Sequence, residues 1–110
     1  MLGQIVDVVI DRPLGSAHPN YPECVYLLNY GYVPGVCAGD GEEQDAYIMG
    51  VTAQISRFRG RVIAVIHRLD DNEDKWIVAP EGITFSADEI RCATWFAEQY
   101  FTGEIEVYHG

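Results

Sequence analysis

Two short stretches concentrate the acidic side chains of this sequence. Asp40-Gly41-Glu42-Glu43-Gln44-Asp45 places four carboxylates in six positions, and Asp70-Asp71-Asn72-Glu73-Asp74 places four more in five. Together they hold eight of the 17 acids within 11 of the 110 residues. Like charges at that spacing repel and raise one another's pKa unless a cation neutralises them. Hard oxygen ligands with few nitrogens or sulfurs nearby select Mg²⁺, Mn²⁺ or Ca²⁺ over zinc. In an extended segment Asp40 and Glu42 point to the same side, and Asp45 can return to that side after a turn. Two such metals could hold a phosphate between them, and a carboxylate not committed to metal would take the proton of a bound water. The plainer alternative is a pair of solvated acidic loops.

Calcium storage is a poor fit. Asp70-x-Asn72-x-Asp74 approaches the spacing of an EF-hand loop, but Lys75 stands at the sharp turn that needs glycine, and the flanks read as strands. The net charge of −10 argues against a nucleic-acid partner and against anionic membranes, both of which are bound by basic surface. No stretch approaches the ~20 apolar residues of a membrane span. Cys24, Cys37 and Cys92 form no Cys-x-x-Cys pair, so they are expected to be small apolar core side chains in a reducing cytoplasm.

The elements that must position these acids follow from the chain order. At 110 residues one domain is expected. Residues 4–10 are β-branched and read as a strand that ends at Asp11-Arg12-Pro13, followed by a loop over 14–23. Residues 24–32 read as a strand entering a Pro34-Gly35 turn, and 45–51 as another strand. Residues 61–67 are apolar on both faces and predict a central strand; 76–79 pair with it as a hairpin around the acidic loop. Ser86-Ala-Asp-Glu89 is a capping box, opening a helix that runs to Thr102-Gly103. Its aromatic residues Trp95, Phe96 and Phe101 are expected in the core, and 104–108 as a last strand.

Asn29-Tyr30-Gly31-Tyr32-Val33-Pro34-Gly35 followed by Asp40-Gly41-Glu42-x-x-Asp45 resembles the soluble, family I inorganic pyrophosphatases, whose signature is Asn-Tyr-Gly-Tyr and then Asp-Gly-Asp-Pro-x-Asp. Val8-Val9-Ile10-Asp11-x-Pro13 and the hairpin from Asp70 to Ala79 are similar to further segments of that family, in the same order. The resemblance implies an α+β fold, a five-stranded OB-like barrel with the C-terminal helix packed outside. It implies Mg²⁺-dependent hydrolysis of pyrophosphate to two phosphates, with Mn²⁺ as an alternative metal. Carried over by position, Asp40, Asp45 and an acid of the second cluster (Asp74 by preference, with Asp70 and Asp71 also candidates) would bind metal. Glu42 would deprotonate the nucleophilic water, Asp11 would support metal-bound water, and Tyr30 and Tyr100 would lie near metal or phosphate.

The departures concern the phosphate side. Glu42 stands where the family has Asp, Phe101 where it has Lys, and loop 14–23 is too short to supply the family's loop Lys and Arg. Lys75 follows Asp74 directly, so by strand parity Trp76 is expected at the family's Lys position. Replacement cations are available in Arg12, His18, His67, Arg68 and Lys75. Arg68 and at least one of Arg12 and His18 are expected to line the metal pocket. The partner is then pyrophosphate or a related small phosphorylated molecule; a non-catalytic binder of metal or phosphorylated ligand is the rival from another class. Tyr26, Tyr47 and Tyr108 are candidates for the contact surface of a homo-oligomer.

Overall fold

The computed structural model describes residues 2–39 and 41–110. The strands are β1 Ile5–Arg12, β2 Asn29–Cys37, β3 Glu43–Ile48, β4 Arg57–Arg68, β5 Lys75–Ala79 and β6 Gly103–Val107, with one helix, α1 Ala87–Glu98, before β6. Five strands run in the order β1-β2-β3-β5-β4, and β1 pairs back onto β4, which closes a barrel; β6 pairs with the C-terminal half of β4, on the edge opposite β5. All pairings are antiparallel except β3 with β5. This is the expected α+β barrel, with one strand more.

Alternation along the strands divides the apolar side chains between two cores. Val6, Val8, Ile10, Ala46, Ile48, Trp76 and Val78 fill the barrel. Tyr47, Met49, Ile77, Ala79 and Ile90 lie on the outer face under α1, with Phe96 and Ile105 packed against them. β4 serves both cores, because a register shift between Val62 and Ala64 turns Val62 and Val65 inward and Ile63, Ala64 and Ile66 outward. That double burial explains the unbroken apolar run. No helix among the described residues is long and apolar enough to cross a membrane.

Gly31 of the aromatic motif is required by close packing. It lies in β2 between Ile10 and Ala46, and a Cβ there would stand 1.8 Å from the Val9 carbonyl oxygen. The contact is backbone, so no side-chain rotation relieves it. Gly31→Ala is expected to cost about 1–3 kcal/mol by overpacking, read as a lower urea midpoint with unchanged slope.

Several expectations are corrected. The Pro34-Gly35 pair is not a turn between strands. It sits inside β2 at a register shift between Val33 and Cys37, with Gly35 at φ 79°, a bulge where a proline removes no needed ladder bond. The helix is capped as expected, Ser86 accepting from Glu89 N and Glu89 bonding back to Ser86 N, but it ends at Glu98 with Gln99 as C-cap. Its buried side chains are Ile90, Thr94 and Glu98; Trp95 and Phe101 are exposed, so the inward face is rotated away from them. The cysteines are not core residues: Cys37 and Cys92 are exposed and Cys24 is half-buried. Tyr26 and Tyr47 are buried within the chain and offer no surface to a second copy.

Candidate active site

A cavity of about 1000 Å³ opens on the outer face of the barrel, between β1–β3, β5, loop 13–28 and the segment after α1. Strand parity explains its floor. Tyr30, Asp45, Tyr47 and Lys75 share the outward side of β2, β3 and β5 and all line it. β1 contributes through a bulge: Ile10 pairs with Gly31 and Arg12 with Tyr30, so Asp11 is the extra residue. A bulge re-aims side chains, and both Asp11 and Arg12 line the cavity.

Lys75 is the centre of the floor. Its side chain is 5% exposed and its Nζ donates to Asp45 Oδ2 at 2.6 Å and to the Tyr30 hydroxyl at 3.1 Å. The expectation that Trp76 would hold this position is overturned, since Trp76 packs inside the barrel. β5 pairs in parallel with β3, Ala46 opposite Trp76, and this register sets Lys75 beside Asp45. Burial raises the Tyr30 pKa far above its usual value and the Asp45 charge adds to the effect, so Tyr30 stays a neutral phenol. Asp11 has a raised pKa from burial and from Asp45, opposed by Arg12.

Arg12 Nη1 donates to the Tyr26 hydroxyl at 3.0 Å, and its guanidinium lies 5.8 Å from that ring. His18 lies between Tyr21 and Tyr26, tilted against the first with centroids at 5.1 Å and stacked on the second at 6.3 Å. Arg68 also reaches the cavity wall. Its guanidinium is held by a buried carboxylate: Nε donates to Glu98 Oε1 at 2.9 Å and Nη2 to Oε2 at 2.5 Å, with Asp71 and Glu73 at 3.3 and 3.5 Å. The Phe101 ring lies 3.7 Å from its central carbon. Arg12, His18, Arg68 and Lys75 therefore surround one cavity, but Arg68 and Lys75 each arrive paired with a carboxylate. Tyr100 lines the same cavity from the far end of α1.

Of the second cluster's acids Glu73 lines it, whereas Asp70, Asp71 and Asp74 do not. Asp74 precedes Lys75 and so points to the other side of the sheet, where its carboxylate meets His67 Nδ1 at 3.1 Å. Asp70 caps the Thr102 N–H at 2.8 Å, and Asp71 accepts from Glu73 N and Arg68. Glu42 is exposed in the turn before β3 and does not line the cavity, while Asp40 lies outside the described residues. Among the described residues no group of three His, Cys, Asp or Glu side chains is placed to hold a metal ion. The oxygens of Asp11 and Asp45 are of the right hardness for Mg²⁺, but Lys75 already supplies the charge beside Asp45. The described donor set does not fit a bound metal.

Three residues that support the site were given no role by the sequence reading. Glu98 anchors Arg68 and accepts from the Tyr47 hydroxyl at 2.7 Å; its only local signal is a carboxylate on the apolar side of a helix. Gln44, 4% exposed, ties β3 to the hairpin through the Asp74 carbonyl at 2.7 Å. Asn29 is fully buried, accepting from Leu14 N and donating to the Ala53 carbonyl, and so anchors loop 13–28.

His67 has a carboxylate on each ring nitrogen, Asp74 and Glu106, both at 3.1 Å. Its pKa is raised, chiefly by the hydrogen bond to Glu106, with burial opposing and Asp74 assisting. The stabilisation is therefore full below the unfolded value of 6.5 and is lost as pH rises through the folded value. His67→Gln is expected to be less stable than the parent by up to about 1 kcal/mol on the acid side. The two should converge in alkaline solution; equal urea midpoints at every pH would show that the pairs contribute nothing.

No protein-family model matches the sequence, and no curated protein matches it. Solved structures do. An inorganic pyrophosphatase from Ehrlichia chaffeensis superposes with a TM-score of 0.69 at 17% identity, over 97% of this chain and 88% of that one. One from Helicobacter pylori gives 0.69 at 18% identity, over 94% and 85%. One from Neisseria gonorrhoeae gives 0.65 at 21%, over 96% and 80%. The chain has the OB-like barrel fold of these bacterial inorganic pyrophosphatases, in a compact form.

Proposed function

We propose that this protein hydrolyses a phosphoanhydride bond in a small phosphorylated molecule, with inorganic pyrophosphate as the simplest substrate of the class. The observation that carries this reading is the single cavity in which Arg12, His18 and Lys75 surround Asp11 and Asp45, on a barrel shared with inorganic pyrophosphatases. Arg12 and Lys75 would hold the phosphate oxygens, and Lys75 and Tyr30 would donate toward the charge that develops on the leaving phosphate. Asp11, whose raised pKa makes it a better proton acceptor than an ordinary surface carboxylate, would take a proton from the attacking water. The water oxygen bonds to phosphorus, the bridging P–O bond breaks, and its electron pair leaves on the departing phosphate. Glu42, the base implied by the family resemblance, is the competing acceptor.

The test is phosphate release from a panel of phosphoanhydrides that includes pyrophosphate, supplied as magnesium complexes. Turnover of any member that saturates and is lost in Lys75→Met supports the reading. The Asp45–Lys75 pair favours a second reading, a phosphate-binding module without turnover, because it neutralises the Asp45 carboxylate on the barrel floor. Tight binding of pyrophosphate with no phosphate released would select it.

A further inference from the structure

The charged floor occupies only part of the cavity, and the remainder has a different chemistry. Its buried members are Tyr26, Tyr47, Arg68 and Lys75. Its exposed large hydrophobic members are Tyr21 at 62%, Val25 at 42%, Leu27 at 61%, Tyr100 at 72% and Phe101 at 37%, beside the polar Glu23 and Gln99. Two separate segments supply them, loop 13–28 and the connection after α1. Both are held in place. The loop is bonded to itself through Gly15 N to the Tyr26 carbonyl, Tyr26 N to the Ser16 carbonyl and His18 N to the Cys24 carbonyl. Tyr21 packs at a tilt against His18, and Phe101 lies on the Arg68 guanidinium.

From this we infer that the site takes a phosphorylated molecule that also carries an aromatic ring, a nucleoside diphosphate or triphosphate being the closest common chemistry. The inference rests on the phosphoanhydride reading and names its substrate class. A cavity of about 1000 Å³ has the size of pockets that enclose drug-sized ligands. Pyrophosphate is far smaller and wholly polar. It would satisfy Arg12 and Lys75 and leave the aromatic mouth in water. A ring placed at that mouth, with its phosphates reaching down to the floor, covers the tyrosines by stacking and meets the cations with opposite charge. For a nucleoside diphosphate, water attacks the terminal phosphorus and the P–O bond to the inner phosphate breaks. The electron pair leaves on the nucleoside monophosphate, the water's proton passes to Asp11, and the products are monophosphate and inorganic phosphate.

The deciding measurement is kcat/KM for nucleoside di- and triphosphates against kcat/KM for pyrophosphate on the full chain. The nucleotide is expected to exceed pyrophosphate by about tenfold or more, as apolar contact with one added group supplies. Tyr21→Ala and Leu27→Ala, each checked for an unchanged thermal midpoint, should lower that ratio, Tyr21→Ala by roughly tenfold as for one lost stacking partner. Pyrophosphate turnover with nucleotides inert, or an unaltered ratio in both variants, would overturn the inference and leave the hydrolase reading standing. Nucleotide binding by calorimetry without turnover of any phosphoanhydride would support the ring-bearing ligand and overturn the hydrolase reading. A dimer in sedimentation that Tyr21→Ala and Leu27→Ala convert to monomer would assign the apolar mouth to a second copy and overturn the inference.

Discussion

Arg68→Ala is expected to destabilise the protein by about 3–5 kcal/mol, the range for removing one partner of a buried ion pair. The Arg68 side chain is 7% exposed and that of Glu98 10%. Both guanidinium-to-carboxylate bonds are charge-assisted and parallel, at 2.9 and 2.5 Å. Burial works against the Arg68 charge, but Glu98, with lesser help from Asp71, outweighs it, and the arginine pKa is raised. Without Arg68, Glu98 would keep the Tyr47 hydroxyl as a donor at the helix end but no cation, leaving an uncompensated charge in a dry place. Against a total stability of roughly 5–15 kcal/mol such a loss removes much of the folded population's margin. The helix end and Phe101, which lies on the guanidinium, should loosen with it, so any fall in turnover must be compared at matched folded fraction. Urea denaturation at neutral pH measures the effect. The double replacement Arg68→Met with Glu98→Met should recover most of the loss, since a well-packed apolar pair of similar volume is often as stable as a buried ion pair. A single variant with the parental midpoint would show that the pair does not hold the helix to the barrel.

Asp11→Asn is expected to lower kcat by about 10²–10⁴, the usual contribution of a positioned general base. The amide keeps the shape and the hydrogen-bonding capacity of the side chain but cannot accept the proton of the attacking water. The pH profile separates this from a loss of binding. Burial and the neighbouring Asp45 raise the Asp11 pKa above 3.8, with Arg12 opposing. The base must be ionised to act, so parental turnover should fall on the acid side at a pH above the ordinary carboxylate value. In Asp11→Asn the residual activity should lack that limb. Glu42→Gln is the necessary comparison. If Glu42→Gln loses the limb and Asp11→Asn retains it, the proton acceptor is Glu42 in the turn before β3.

What could be read in the sequence was what neighbouring residues decide. The Ser86–Glu89 capping box involves partners three residues apart, and a helix start forms wherever that spacing occurs. β-branched alternation marked the strands, and the double apolar face of 61–67 marked the one that lies between two cores. The Asn29-Tyr30-Gly31-Tyr32 motif pointed to the barrel through its resemblance to the pyrophosphatase signature, and its Gly31 is fixed by packing, since a Cβ there would stand 1.8 Å from the Val9 carbonyl oxygen. Even so, a proline and glycine read locally as a turn were a bulge inside β2, since both conformations want the same residues and only the partner strand distinguishes them.

The site depended on registers that no local signal carries. Asp11 enters the cavity because one residue of β1 is unmatched in its pairing with β2. Lys75 rather than Trp76 faces Asp45 because β3 and β5 pair in parallel with Ala46 opposite Trp76. A slip of one residue would reverse both sides of the sheet, and the choice is made by Trp76 and Val78 filling the barrel. Arg68 and Glu98 lie 30 residues apart, and nothing in the chain between them announces the pair. Composition and motif determined the kind of fold and the set of charged side chains from which a site could be built. Only the closed barrel decided which of those charges meet, because hydrophobic filling of its two cores selects the register, and the register turns each polar side chain toward the cavity or away from it.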